Sequence, residues 1–244
     1  MTIASKLHPD LQGAMAAKMR NMGEACTAAN RFLVHESVAG EFARLLAGKM
    51  SDLTPARGTE AESTLGPLIH AGARDQIHRL VTAAVAEGAT VATGGGNVES
   101  PGYFYQPTVL VDVPNTAEIL SQEIFGPVAP VTTFRTESEA ITMANASEYG
   151  LAAYLFSRDH NRLIRVADQI DFGMVGFNSG MLSNAAAPFG GVKQSGLGRE
   201  GGAEGLGEYT SAQYICIADP FAAPGSATPS ASADSSPDGY TTVS

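Results

Sequence analysis

Residues 151–179, LAAYLFSRDHNRLIRVADQIDFGMVGFNS, decide the fold class. LAAYLFS at the front and GMVGFNS at the back are apolar runs of strand length. Between them, DHNRLIRVADQI places Leu163, Val166, Ala167 and Ile170 on one helix face, the stripe that would be buried. Both strands lack the polar alternation of a half-solvated sheet. A strand–helix–strand unit of this kind belongs to a parallel sheet covered by helices.

The same alternation continues outward. The segment from Asp10 to about Asn21 is rich in Ala and Met and predicts a helix, which Gly23 breaks. Arg31–His35 then reads as a strand. Ser37 is the expected N-cap of a helix carrying Val38, Phe42, Leu45 and Leu46 on one face. A loop punctuated by Pro and Gly spans Thr54–Pro67. The next helix sets Ile77, Leu80, Val81, Ala84 and Val85 on one face and stops at Gly88. ATVATGGG leads into a turn, and PTVLVDV and VAPVTTF (Val128–Phe134) read as strands. Thr136 and Glu139 form a capping-box signature for a helix through Asn145. Near the end, Tyr214–Ala218 reads as a last apolar strand. No internal repeat is present. The fold class is therefore α/β with a mostly parallel, helix-covered sheet, followed from Asp219 by a Pro/Ser/Ala-rich tail expected to be disordered.

Composition narrows the function. The 244 residues carry 25 acidic and 15 basic side chains, a net charge of -10. That balance argues against a partner recognised through its phosphate backbone. Two cysteines cannot build a disulfide framework and suit a reducing compartment. The opening MTIASKLHPDLQG has no apolar signal core, and no apolar run reaches the roughly 18 residues of a membrane span. A cytoplasmic protein that binds neither nucleic acid nor membrane is expected. The five histidines show no metal-ligand spacing beyond His70 and His78, which read as surface residues of one helix, so no metal is expected. Gly196-x-Gly198-x-x-Gly201 formally fits a dinucleotide fingerprint, but no strand runs directly into its first glycine.

The sharpest chemical feature is Cys26 in RNMGEACTAANRFLV. It follows a helix and precedes a strand, in a turn of small residues. A thiol there is accessible, and its own backbone N–H can face the same space. A nucleophilic cysteine needs that access and a donor for a developing oxyanion. The plainer alternative is a buried small hydrophobe, which suits Cys216 within YICIA. In QEIFGP (Gln122–Pro127), Glu123 can accept both hydroxyls of a ribose and Phe125 can pack on a flat ring, although taken alone the turn reads as a solvated acid beside a core phenylalanine. The glycines of PFGGVKQSGLGREG (Pro188–Gly201) imply close backbone approaches and positive φ angles.

GEAC with ANRF, the EIFGPV turn, NSGMLSN and PFGGVKQSGLGREGG, in this order, resemble the aldehyde dehydrogenase superfamily, most closely its succinate-semialdehyde type. The resemblance covers about Leu11 to Ala218. It implies the catalytic domain of that family, without its Rossmann-like cofactor domain. It divides the chain into a non-family start (1–10), the catalytic domain (11–200), a C-terminal helix and oligomerisation strand (201–218) and the tail (219–244). By resemblance, Cys26 is the nucleophile that attacks the aldehyde, and its amide forms part of the oxyanion hole. Glu123 and Phe125 hold the nicotinamide ribose and ring of NAD(P). Arg20 and Ser183 hold the substrate carboxylate, for which a guanidinium fork is suited. Glu24 stands where the family has glutamine, and a structural role is expected for it.

The resemblance also implies that the family's water-activating glutamate, the asparagine that completes the oxyanion hole and the oligomerisation hairpin lie upstream of this chain. The isolated chain is then expected to be inactive, with a separate cofactor-binding chain or a homo-oligomer as its partner. Two other readings stand beside aldehyde oxidation: a non-catalytic binding or assembly subunit, and residual esterase activity through Cys26.

Overall fold

The computed structural model describes residues 2–4 and 11–218. The tail from Asp219, expected to be disordered, lies outside the described residues, as does most of the segment before Leu11. Residues up to Tyr209 and those from Thr210 form two separate units.

The first unit is built on a seven-stranded sheet in the order β3 (Thr90–Thr93), β4 (Thr108–Val111), β5 (Val128–Phe134), β2 (Phe32–His35), β1 (Thr2–Ala4), β7 (Ala152–Phe156) and β8 (Met174–Phe177). Every pairing is parallel except β3 with β4. β1 fills the middle, with Thr2 level with Phe32 on one side and Tyr154 on the other. A separate two-stranded ladder joins β6 (Tyr149–Gly150) to β9 (Val192–Lys193).

Side chains alternate across the sheet, as the period of a strand requires. Phe32, Val34, Tyr154 and Phe156 enter one core with residues of α1 (Leu11–Met19) and α2 (Glu36–Ser51). Leu33, Ala153 and Leu155 enter the opposite core with α4 (Glu137–Asn145) and α5 (His160–Ala167). α3 (Ala71–Ala86) covers the β4 end through Ile77, Leu80 and Val81 against Leu110 and Val128. Burial on both faces explains why these strands read as continuous apolar runs.

Several local expectations need correction. α2 is capped by His35, whose Nδ1 accepts the Ser37 N–H at 3.2 Å, and Ser37 itself is not the cap. His70 likewise caps α3, accepting the Ala73 N–H at 2.9 Å. In α1 the buried residues are Ala14, Ala17 and Lys18. The helix and strand expected over 201–218 reduce to a 3₁₀ turn at Glu204–Tyr209. Residues 210–218 form no strand, and Cys216 is exposed, not buried. An apolar run becomes a strand only where a ladder accepts its backbone groups, and the described part of the second unit offers none.

Candidate active site

The segments that carry candidate chemistry meet at the amino ends of the parallel strands. Residues 23–31 lead into β2, 120–127 into β5, 147–151 into β7 and Phe172 lies just before β8. Together they line a cleft of about 280 Å³ that includes Lys18, Cys26, Asn30, Glu123, Phe125 and Tyr149. This is the opposite end from the carboxyl-end crevice usual in open α/β sheets.

The Cys26 loop is set by an abrupt end to α1. Asn21 (φ 46, ψ 47), Met22 (φ 60, ψ 17) and Gly23 (φ 84) run left-handed in succession. Left-handed backbone is readily adopted by glycine, tolerated by asparagine and unfavourable for methionine. The Asn21 side chain stabilises the turn by donating to Glu24 O at 2.8 Å. At Gly23 the chain passes so close to Gly126 that a β-carbon would strike the Gly126 carbonyl. This contact brings the Cys26 loop and the Glu123 turn together.

Beyond Gly23 the loop is tied down on both sides of Cys26. Ala29 N–H donates to Ala17 O at 2.8 Å, and Tyr154 of β7 donates its hydroxyl to Thr27 O at 2.8 Å. Burial pushes the Tyr154 phenol up, the Thr27 bond and the Arg20 charge pull it down, and Cys26 raises it. The thiol of Cys26 is exposed. Its backbone N–H has no acceptor among the described residues. Glu24 Oε1 accepts the Ile69 N–H at 3.3 Å.

Asn30 links the same loop to the Glu123 turn. Its Nδ2 donates to Gln122 O at 2.7 Å and its Oδ1 accepts the Ile124 N–H at 2.9 Å. The residue between these two contacts is Glu123. Ile124 is buried, whereas Phe125 takes a left-handed φ of 50° and is 41% exposed. Arg31, next in the chain, turns inward and donates to Met143 O and Ala144 O at the end of α4.

The far wall is a clip between 147–150 and the glycine-rich segment. Gly150 N–H donates to Ser195 Oγ at 2.9 Å, and Gln194 N–H to Glu148 O at 2.9 Å. Lys193 Nζ reaches Asn145 O, Ser147 O and the Asp171 carboxylate within 3.2 Å. Of the glycines expected to take positive φ, Gly196, Gly198 and Gly201 do and Gly190 and Gly191 do not. This segment also lines a second hollow of about 700 Å³, which touches the first at Cys26, Leu151 and Ser195. Cys26 thus stands between two spaces.

Arg20 and Ser183, distant in sequence, are brought together: Arg20 Nη1 donates to Ser183 Oγ at 2.9 Å. Neither lines the two hollows at Cys26. Sequence reasoning missed Lys18, which is 1% exposed and whose ammonium group has no hydrogen-bond partner among the described residues. Desolvation lowers its pKa from 10.5 to about 7, with the Glu123 charge opposing the shift. The available signal was a lysine on the same face as Ala14 and Ala17. No group of His, Cys, Asp and Glu able to hold a metal occurs among the described residues, and none of their helices is long and apolar enough to cross a membrane.

A family model for aldehyde dehydrogenases matches residues 5–215, starting ahead of Leu11, where the motifs alone begin. The chain is 74% identical over 211 residues to the succinate-semialdehyde dehydrogenase of Paenarthrobacter nicotinovorans, a match covering 86% of this chain and 47% of that protein. It is 45% identical over 207 residues to a glutarate-semialdehyde dehydrogenase of Pseudomonas putida, covering 85% and 43%. The crystal structure of succinate-semialdehyde dehydrogenase from Burkholderia pseudomallei is similar with a TM-score of 0.84 and 44% identity, over 88% of this chain and 46% of that one. The chain spans about half the length of the curated relatives it matches. With a parallel α/β fold, an exposed cysteine at a strand-end cleft and a family match over most of its length, the chain belongs to the aldehyde dehydrogenase family.

Proposed function

We propose that the Cys26 cleft is the nucleophile-bearing part of a site that oxidises a carboxylate-bearing aldehyde, best succinate semialdehyde, with NAD(P). The Cys26 thiolate attacks the carbonyl carbon, and the free Cys26 N–H donates to the resulting oxyanion. Bound nicotinamide supplies the hydride acceptor. Loss of hydride from the thiohemiacetal leaves a thioester on Cys26, which water cleaves to the acid. Glu123 and Phe125 suit one end of that cofactor, because an exposed carboxylate can accept two ribose hydroxyls beside a partly exposed ring. A reducing compartment such as the cytoplasm suits a working thiol.

The observation that carries the substrate class is the Arg20–Ser183 contact, a guanidinium and a hydroxyl poised together just ahead of the Cys26 loop. Glu123 is the only carboxylate among the described residues lining its cleft. If it holds the ribose, no second carboxylate among the described residues lining that cleft is left to give base assistance, worth roughly 10²–10⁴-fold. The chain alone is therefore expected to form the covalent adduct but turn it over slowly, with a cofactor-binding chain or homo-oligomer supplying the remainder.

A protection experiment on the chain tests the substrate class. Succinate semialdehyde should shield Cys26 from iodoacetamide at roughly tenfold lower concentration than butanal, as one charge-assisted contact allows. Arg20→Met should erase that difference while leaving protection by butanal intact. Equal protection by the two aldehydes in the unaltered chain would refute the carboxylate assignment.

A further inference from the structure

The cleft has its nucleophile on one segment and its cofactor-facing carboxylate on another, separated by almost a hundred residues of chain. One side chain spans them. Asn30 is two residues short of β2, and the Glu123 turn leads into β5, the neighbouring parallel strand. The Asn30 carboxamide uses both ends on this turn: Nδ2 on the carbonyl before Glu123, Oδ1 on the N–H after it. A carboxamide is the side-chain group that can donate and accept at once across so short a span. Serine would reach neither, and aspartate would accept from Ile124 but repel the Gln122 carbonyl.

The rest of the turn needs such a restraint. Ile124 is buried and anchored, but Glu123 is exposed and Phe125 is held in a left-handed conformation that phenylalanine disfavours. Gly23 against Gly126 fixes how closely the two segments approach, but not the rotation of the turn about that contact. Asn30 supplies two further points, on either side of Glu123.

We infer that Asn30 is a positioning residue: it holds the Glu123 carboxylate in register with Cys26, so that a ribose bound by Glu123 places its ring over the thiol. This rests on the cofactor reading given above. Asn30 itself touches neither substrate nor cofactor in this account; it acts through the turn.

The test uses the full chain, its Asn30→Ala and Asn30→Asp variants, and Glu123→Gln. Two readouts are taken, amide hydrogen exchange across residues 120–126 and the slowing of Cys26 alkylation by nicotinamide mononucleotide. In Asn30→Ala, exchange across 120–126 should rise at least tenfold while that of β5 and α3 is unchanged. The concentration of nicotinamide mononucleotide needed for half-protection should rise about tenfold. Asn30→Asp should fall between, because it keeps the acceptor for Ile124. Alkylation without the nucleotide should proceed at the unaltered rate in Asn30→Ala and Asn30→Asp. If the nucleotide protects the unaltered chain, Glu123→Gln abolishes protection and Asn30→Ala does not weaken it, the positioning role is wrong. If the nucleotide never protects the unaltered chain, the cofactor reading fails and takes this inference with it. If exchange rises throughout the molecule, Asn30 serves the fold generally and the proposal is overturned.

Discussion

Gly23→Ala should destabilise the chain by about 2–5 kcal/mol. The left-handed φ of 84° costs an L-residue about 1–2 kcal/mol. The new β-carbon would meet the Gly126 carbonyl, and forced overpacking of this kind costs about 1–3 kcal/mol more. The obstacle is backbone, so no rotamer change relieves it. Relief requires the Cys26 loop and the Glu123 turn to part, and the site should loosen along with the fold. Gly48→Ala is the matched control: its β-carbon meets nothing within 4 Å, and it lies inside α2. Alanine in a helix interior should be stabilising there by about 1 kcal/mol. Urea unfolding of the two variants measures both effects. A Gly23→Ala protein as stable as the parent would mean that the two segments are not in contact.

Lys18→Met should stabilise the chain, and by an amount that depends on pH. The buried ammonium is held at a pKa of about 7 in the folded protein against 10.5 when free, chiefly by desolvation. Between those values the unfolded chain binds more protons, so folding stability climbs as pH rises through the window. Below about pH 7 both states carry the proton, and the penalty is fully present at roughly 3–5 kcal/mol. Methionine of similar length removes the charge and keeps the packing. The variant's advantage should therefore be greatest at or below pH 7 and vanish near pH 10.5. Denaturation midpoints at pH 6, 8 and 10 would show it, and a pH-independent difference would contradict it. The Glu123 charge that partly supports Lys18 explains why a costly residue can persist on this face.

Both predictions concern features that the sequence only half reveals. The strands of the second half were legible because burial on both faces leaves unbroken apolar runs, and VAPVTTF coincides with β5 at both ends. The Thr136 cap was legible because its chemistry is local: its side chain accepts the Glu139 N–H at 3.1 Å. Thr2–Ala4 was not legible as a central strand, since three residues carry no periodicity. Nor was the fate of Tyr214–Ala218, because strand formation depends on a partner ladder that no local pattern encodes.

The candidate site shows the same division. Residue types and turns single out Cys26, Glu123 and Phe125, the family resemblance gives them roles, and the three share one cleft. Arg20 and Ser183 came from family resemblance, and they touch each other outside that cleft. Asn30 escapes a reading of the sequence because its importance lies in contacts with the distant 122–124 segment, and Lys18 because its importance lies in burial by the fold. A lysine in an Ala-rich helix reads as solvated until the fold buries it.

The central claim is that Cys26 is a nucleophile toward an acyl carbon, and an activated ester tests it without any cofactor. With p-nitrophenyl acetate, the thiolate attacks the ester carbonyl, p-nitrophenolate leaves, and the acetyl group stays on sulfur as a thioester. Cys26 and Cys216 fall in different tryptic peptides, residues 21–31 and 200–244. Since both thiols are exposed, accessibility alone does not favour either one. The account predicts a burst of p-nitrophenolate with the acetyl group on the 21–31 peptide, and loss of the burst in Cys26→Ala but not in Cys216→Ala. Acetylation of Cys216 at the same rate as Cys26, or a burst that survives Cys26→Ala, would contradict it.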